Sequence, residues 1–233
     1  MTKFIRIPLG TSNSYLIKGE DGYVLVDAGN RHRADRFMEC LNAHDISPTQ
    51  IRVIILTHTH FDHIGSLAEI RKLCDCQVAV HQQESDLLIT GQVVIPNGTN
   101  LLGKSMSRVG RTLAKRWSPS QPVNPDIQVC GEMSLDQFGV TGRIIPTPGH
   151  TDGSISVLLS TGEAFVGDLT VNYLPFGLGP IFPPFANDIN ALMKSWGKII
   201  DAGAKTISPG HGKTFDVGLL IKKYESMLEK FIR

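Results

Sequence analysis

The stretch LTHTHFDHIG, residues 56–65, sets three histidines and an aspartate within six consecutive positions, at the end of the apolar run IRVIIL at 51–56. In extended backbone alternate side chains share a face, so His58 and His60 can converge on one metal ion. Asp62 and His63 follow where the chain is expected to turn into a helix, and they point elsewhere. The spacing H-x-H-x-D-H is therefore suited to two neighbouring metals, His58 with His60 for one and Asp62 with His63 for the other. Zinc takes imidazole nitrogen and carboxylate oxygen, and a catalytic zinc keeps one position open for water. Iron and manganese accept similar ligands, so the element stays open.

Such a cluster needs completing ligands, and three candidates share one address. PTPGH ends in His150, AFVGD in Asp168 and TISPGH in His211, each where an apolar strand-like run gives way to a glycine-bearing loop. The carboxyl ends of strands are the general location of sites in α/β sheets. Any one of these residues alone reads equally well as an ordinary loop side chain; together with the first cluster they read as a site. His32, His44 and His81 match no ligand motif and are read as surface or structural residues.

Around these positions, strand-like and helix-like segments alternate. SYLIKG and GYVLVDAG form an expected antiparallel pair, RADRFMECLNAHDI and SLAEIRKLC have helical spacing, and CQVAVHQQESDLL reads as a strand running into a helix. MSLDQF, GRIIPTPG, SISVLLST and EAFVGDL read as short strands, followed by a helix at 188–201 capped by Asn187 or Asp188, and a closing helix GLLIKKYESMLEKFI. With 233 residues, 41% hydrophobic and 19% charged, the expectation is one domain spanning 1–233 around one α/β core. No window approaches the about 18 apolar residues of a membrane span, and the amino-terminal segment lacks the h-region of a signal peptide. Cysteines 40, 74, 76 and 130 are few and irregularly spaced, so they are read as reduced packing residues of a cytoplasmic protein. A net charge of +1 argues neither for nor against nucleic acid.

The segment at about 90–129 fits the alternation least well and is read as a lid or insert. Its centre, TNLLGKSMSRVGRTLAKRW at 99–117, carries an apolar stripe of Leu102, Met106, Val109 and Leu113 beside Lys104, Arg108, Arg111, Lys115 and Arg116. That pattern is open between a plain surface helix, a lid with a positive face toward an acidic ligand, and a homo-oligomer contact. Gly103 and Gly110 weaken the helix expectation. LTVNYLPFGLGPIFPPF, behind Asp168, is read as a packed loop or an apolar pocket wall, with Tyr173 a candidate oxyanion or substrate contact.

In motif order, VLVDAG, THTHFDHIG, TPGHTDGS, VGD and SPGHG, the chain resembles the metallo-β-lactamase superfamily over nearly all its length. The resemblance implies a four-layer αβ/βα sandwich of two mixed β-sheets flanked by helices. It also implies a ligand set: His58, His60 and His150 on a first metal, Asp62, His63 and His211 on a second, and Asp168 bridging both. Asp27 would support the ligand loop from behind. The same seven-ligand set occurs in glyoxalase-II-like hydrolases, so the expected activity is metal-dependent hydrolysis by a hydroxide bridging two metals, most plausibly two zinc ions. Asp62 would orient that hydroxide and carry its proton. The expected substrate is a small thioester, lactone or other ester, apolar with an anionic group. Two other readings stay open: a phosphodiesterase or nuclease on the same dinuclear site, and a non-hydrolytic iron-containing member. Iron members of the latter kind usually change one histidine of the cluster to an acid, whereas His60 is intact here.

Overall fold

The structure is a computed structural model and describes residues 4–92, 94–99, 101–114, 120–172 and 182–232. The first half holds β1 (Phe4–Pro8), β2 (Asn13–Lys18), β3 (Tyr23–Val26), α1 (Ala34–Asn42), β4 (Ile51–Ile55), α2 (Phe61–Ile64), α3 (Leu67–Cys74), β5 (Gln77–His81), α4 (Ser85–Thr90), α5 (Leu101–Ala114) and β6 (Ile127–Val129). The second holds β7 (Met133–Ser134), β8 (Gly142–Pro146), β9 (Ile155–Leu159), β10 (Glu163–Gly167), α6 (Ile189–Asp201), β11 (Thr206–Pro209), β12 (Phe215–Asp216) and α7 (Val217–Ile232).

The strands make two six-stranded sheets, ordered β1-β2-β3-β4-β5-β6 and β12-β11-β10-β9-β8-β7. Both are mixed. In the first, β1 to β3 pair antiparallel and β3 to β6 parallel; in the second, only β10 and β11 run parallel.

Three apolar layers hold the sheets and helices together. Val53 and Ile55 of β4 join Tyr15, Val24, Val26, Val157 and Phe165 between the two sheets. Ile54 points the other way, against Phe37 and Leu41 of α1 and Leu67 and Ile70 of α3. On the far side, Ile145, Leu158, Val166 and Ile207 pack under Leu192, Trp196 and Ile199 of α6 and Leu220 of α7. The layering is helix, sheet, sheet, helix. It explains why β4 reads as a continuous apolar run: a parallel strand covered on both faces has no polar side to alternate with.

Most elements stand where the pattern predicted them, including the β2–β3 pair and the capping of α6 by Asp188, whose Oδ1 accepts from Asn190 N at 2.8 Å and Ala191 N at 3.0 Å. MSLDQF departs from the expectation. Only Met133–Ser134 is strand; Asp136–Phe138 is a 3-10 turn that closes on Gly139 at φ 70°, because Phe138 N bonds back to Leu135 O. Among the described residues no helix is long and apolar enough to cross a membrane.

The segment ahead of α5 is tied to the second half. Gly98 bridges Phe185, Thr99 N donates to Pro184 O at 2.9 Å, and Ala186 N donates to Asn97 O at 2.9 Å. The two glycines of α5 face this packing. A Cβ on Gly103 would meet Pro184 O at 2.2 Å, and one on Gly110 would meet Ile95 Cγ2 at 3.3 Å. Residues that cost helix propensity thus let the helix sit close. Val109, placed by the sequence pattern in an apolar stripe, is 58% exposed, and the side chains of Leu102, Met106 and Leu113 lie outside the described residues.

Candidate metal centre

Beyond β4 the chain bends at Thr57, runs to His60, which is extended, and then enters α2, whose first turn is tied back by His63 N and Ile64 N to His60 O. The alternation holds as geometry. His58 and His60 turn to one side, with ring centroids 4.5 Å apart. Thr57 and Thr59 are each held by a buried carboxylate. Thr57 N and Oγ1 donate to Asp27, at 2.8 Å for N to Oδ1 and 2.8 Å for Oγ1 to Oδ2. Thr59 N donates to Glu84 Oε2 at 3.0 Å, and Thr59 Oγ1 donates to the same oxygen.

The loops after β8, β10 and β11 bring His150, Asp168 and His211 onto this cluster. His150 Nε2 lies 2.9 Å from His60 Nδ1 and 3.6 Å from Asp168 Oδ2. Asp168 Oδ1 is 3.3 Å from His63 Nε2, and Asp168 Oδ2 is 3.4 Å from His211 Nε2, which also lies 3.3 Å from Asp62 Oδ2. Three overlapping groups result, with ligand atoms all within 4.8 Å of one another: His58, His60 and His150; Asp62, His63 and His211; and His58, His63 and Asp168. The glycine of SPGHG is a packing requirement of this cage. A Cβ on Gly210 would come within 2.6 Å of His63 Cε1 and 2.7 Å of Asp168 Oδ1.

The outward nitrogens of four histidines are engaged, which orients the inward ones. His63 Nδ1 donates to Asp27 Oδ2 at 2.8 Å, His150 Nδ1 to Phe185 O at 2.9 Å and His211 Nδ1 to Thr11 O at 2.8 Å. Thr57 spends its one hydroxyl proton on Asp27, so the 3.1 Å contact with His58 has Nδ1–H donating to Thr57 Oγ1. Asp27 thereby orients His63 directly and His58 through Thr57, turning both Nε2 atoms inward.

Three of the inward atoms make no well-formed hydrogen bond, although His63 Nε2 and Asp168 Oδ1 lie 3.3 Å from each other. His58 Nε2, His63 Nε2 and Asp168 Oδ1 are buried with no hydrogen-bond partner among the described residues. Orphaned buried polar atoms cost about 1–3 kcal/mol each. A cation among these donors would relieve that cost, and imidazole with carboxylate is a zinc, iron or manganese donor set, so the residues fit a metal. The charges agree. Burial holds His58 and His150 neutral and pushes His60 down to about 3, the latter with help from His150. Burial would also neutralise His63 and His211, yet Asp27 and Asp168 raise His63 well above the usual range, and Asp168 with Asp62 raises His211 to about 10. Burial would raise the two inward carboxylates, but the charges and hydrogen bonds of His211 and His63 pull Asp62 down to about 2 and Asp168 well below the carboxylate range. Without an ion, protons on two imidazoles supply the positive charge the carboxylates demand.

A cavity of about 270 Å³ opens from the cluster. Thr11, His60, Asp62, His150, Asp168 and His211 form its polar end, and Phe61, Ile95, Pro96, Val171, Pro184 and Phe185 are among its apolar lining. Ser107 and Gly110 bring α5 to its wall. Lys104 and Arg108 of the same helix are exposed and do not line it.

All seven sequence-predicted ligands and Asp27 are brought together; Tyr173 lies outside the described residues. Sequence reasoning missed Thr11, Glu84 and Phe185. Two of the three act through a backbone carbonyl, which no side-chain pattern can signal. Glu84 had a faint signal in Thr59, the second threonine of an alternating THTH.

Comparison with known proteins agrees with the geometry. Residues 7–211 match the model of the metallo-beta-lactamase superfamily. The probable metallo-hydrolase YqgX of Bacillus subtilis is 29% identical over 171 residues, 72% of this chain and 71% of that protein. A human protein named acyl-coenzyme A thioesterase MBLAC2 is 23% identical over 94% of this chain and 79% of its own length. The crystal structure of ST1585 from Sulfolobus tokodaii, a protein of the same superfamily, superposes with a TM-score of 0.72 and 25% identity, covering 98% of this chain and 87% of that one.

Proposed function

The chain belongs to the metallo-β-lactamase superfamily, and from that premise we propose that it is a metal-dependent hydrolase of ester-type bonds, thioesters foremost. His58, His60 and His150 would hold one divalent ion and Asp62, His63 and His211 a second, with Asp168 shared. The observation that carries the reading is the set of orphaned inward atoms, His58 Nε2, His63 Nε2 and Asp168 Oδ1, at the polar end of a cavity whose far wall is hydrocarbon. When bound, a pair of divalent ions supplies Lewis acidity, polarising a carbonyl and lowering the pKa of water from 15.7 toward about 7.

The chain's own residues do the rest. Asp62 borders the cavity, is held ionised, and touches His211 Nε2 at 3.3 Å and Thr11 Oγ1 at 3.4 Å. An ionised carboxylate there can take the proton of an attacking water and return it to the departing thiolate or alkoxide. Thr11 and His211 keep the carboxylate aimed. Phe61 and Val171 also line the cavity and set hydrocarbon beside these charges. Phe61, Ile95, Pro96, Val171, Pro184 and Phe185 give the cavity a hydrocarbon lining that suits a neutral acyl group. The human relative's printed name, an acyl-coenzyme A thioesterase, supports the same choice of bond.

The test is a panel of thioesters, lactones, phosphodiesters and β-lactams, with metal content measured on the same sample. Thioesters, then other esters, are expected to turn over fastest. A metal-replete protein cleaving bis-p-nitrophenyl phosphate faster than any ester would overturn the assignment.

A further inference from the structure

The apolar part of the cavity includes a half-buried wall of Ile95, Pro96 and Gly110 that the hydrolytic chemistry does not require. Gly103, Ser107 and Gly110 fall at i, i+4 and i+7 on α5, hence on one side of the helix. Gly103 is pressed on Pro184 O, Ser107 lies against Pro96, and Gly110 faces Ile95. Ser107 is 4% exposed and its hydroxyl donates to Pro96 O at 2.7 Å, so its polarity is spent on backbone and not offered to a ligand. At Gly110 the nearest atoms to an added Cβ are all from Ile95, at 3.3, 3.7 and 3.8 Å. A methyl there would need Ile95 to give by a few tenths of an ångström; anything larger must displace Ile95 or enter the cavity. The volume of about 270 Å³ lies just below the about 300–1,000 Å³ usual for ligand pockets.

We propose that the substrate is an ester or thioester of a short, apolar, uncharged acyl group, and that Gly110 and Ile95 together set the chain length it accepts. The inference rests on the hydrolase reading above and deepens it. On this reading the carbonyl carbon sits at the Asp62 and Asp168 end, the acyl chain runs along Phe61, Pro96, Val171 and Phe185, and its terminus meets the Gly110–Ile95 wall. The leaving thiol or alcohol departs toward solvent, so it contributes less to selection than the acyl group does.

The experiment is a chain-length series of p-nitrophenyl esters and matching acyl-coenzyme A thioesters, from acetyl through butyryl, hexanoyl and octanoyl to decanoyl, at quantified metal content. The wild-type kcat/KM is expected to pass through a maximum at short chains and fall toward decanoyl. Gly110→Val should shift the maximum shorter and lower the hexanoyl-to-acetyl ratio by at least about tenfold, the low end for one methylene's worth of apolar pocket, chiefly through KM. Ile95→Ala should shift it longer. If Gly110→Val does not fold by circular dichroism, Gly110→Ala and Ile95→Ala carry the test alone. A wild-type profile without a maximum, or variants that change every chain length by one common factor, would sink the chain-length assignment while leaving the hydrolase standing. No turnover at any length by metal-replete wild type would instead sink the hydrolase reading itself.

Discussion

Asp27 and Asp62 stand on opposite sides of the same ligand shell and have different duties. Asp27 is 1% exposed, never meets the cavity, and spends both oxygens on Thr57 and His63. Asp62 faces the cavity beside His211. The two asparagine substitutions should therefore part company. Asp62→Asn removes the proposed proton carrier and is expected to lower kcat by about 10²–10⁴ with metal content reduced less. Asp27→Asn loses an acceptor that orients His63 and His58 and is expected to weaken metal binding by about 10–100-fold, read by competition with a chromophoric chelator. Near-wild-type turnover in metal-quantified Asp62→Asn protein would remove Asp62 from the reaction. At this scale the sequence was unusually legible, because ligands are side chains with fixed chemistry and fixed spacing. What it hid were the acceptors behind them, Thr11 O and Phe185 O, since every residue carries a carbonyl and only the fold selects one.

Helix α6 shows how an element both builds the core and aims a ligand. Leu192, Trp196 and Ile199 cover the second sheet, while Asp188 caps the first turn and its own N–H, with that of Asn187, bonds the Gly149 carbonyl next to His150. Asp188→Ala forfeits the cap, which typically costs about 1 kcal/mol. In a chain of 233 residues this should lower the melting temperature by about 2–4 °C. Because the same residue adjoins the His150 loop, the loss should be larger in chelator than with metal bound. Equal losses in both states would mean that the cap serves the helix alone. Elements of this length announce themselves through periodicity and caps. Short ones do not: β12 has two residues, and MSLDQF alternates like a strand yet turns at Gly139. Helix α5 misleads in another way, since propensity counts what glycine costs the backbone and not how closely Pro184 and Ile95 press on it.

For the molecule as a whole, the decisive feature is that neither half contains the cage. His58, His60, Asp62 and His63 follow the first sheet, whereas His150, Asp168 and His211 follow strands of the second, so the ligands converge only when the two sheets pack. Metal binding is then linked to folding, and both are linked to protons. In the metal-free protein His58, His60 and His150 have lowered pKa values, so their contribution is present above the unfolded value of 6.5 and is lost as pH falls below it, that of His60 through about 3. His63 and His211 have raised values, so their contribution is complete below 6.5 and is lost as pH rises above it, that of His211 through about 10. The sum places maximal stability of the metal-free protein near pH 6.5. A metal held by His63 and His211 as proposed would displace their protons, so it competes less against them as pH rises. Melting temperatures measured in chelator and in saturating zinc should accordingly diverge from pH 6.5 to 9, and calorimetry at pH 7 in buffers of different ionisation enthalpy should register proton release on zinc uptake. A constant gap across that range, with no protons released, would mean that His63 and His211 do not bind the metal through the nitrogens that face Asp168.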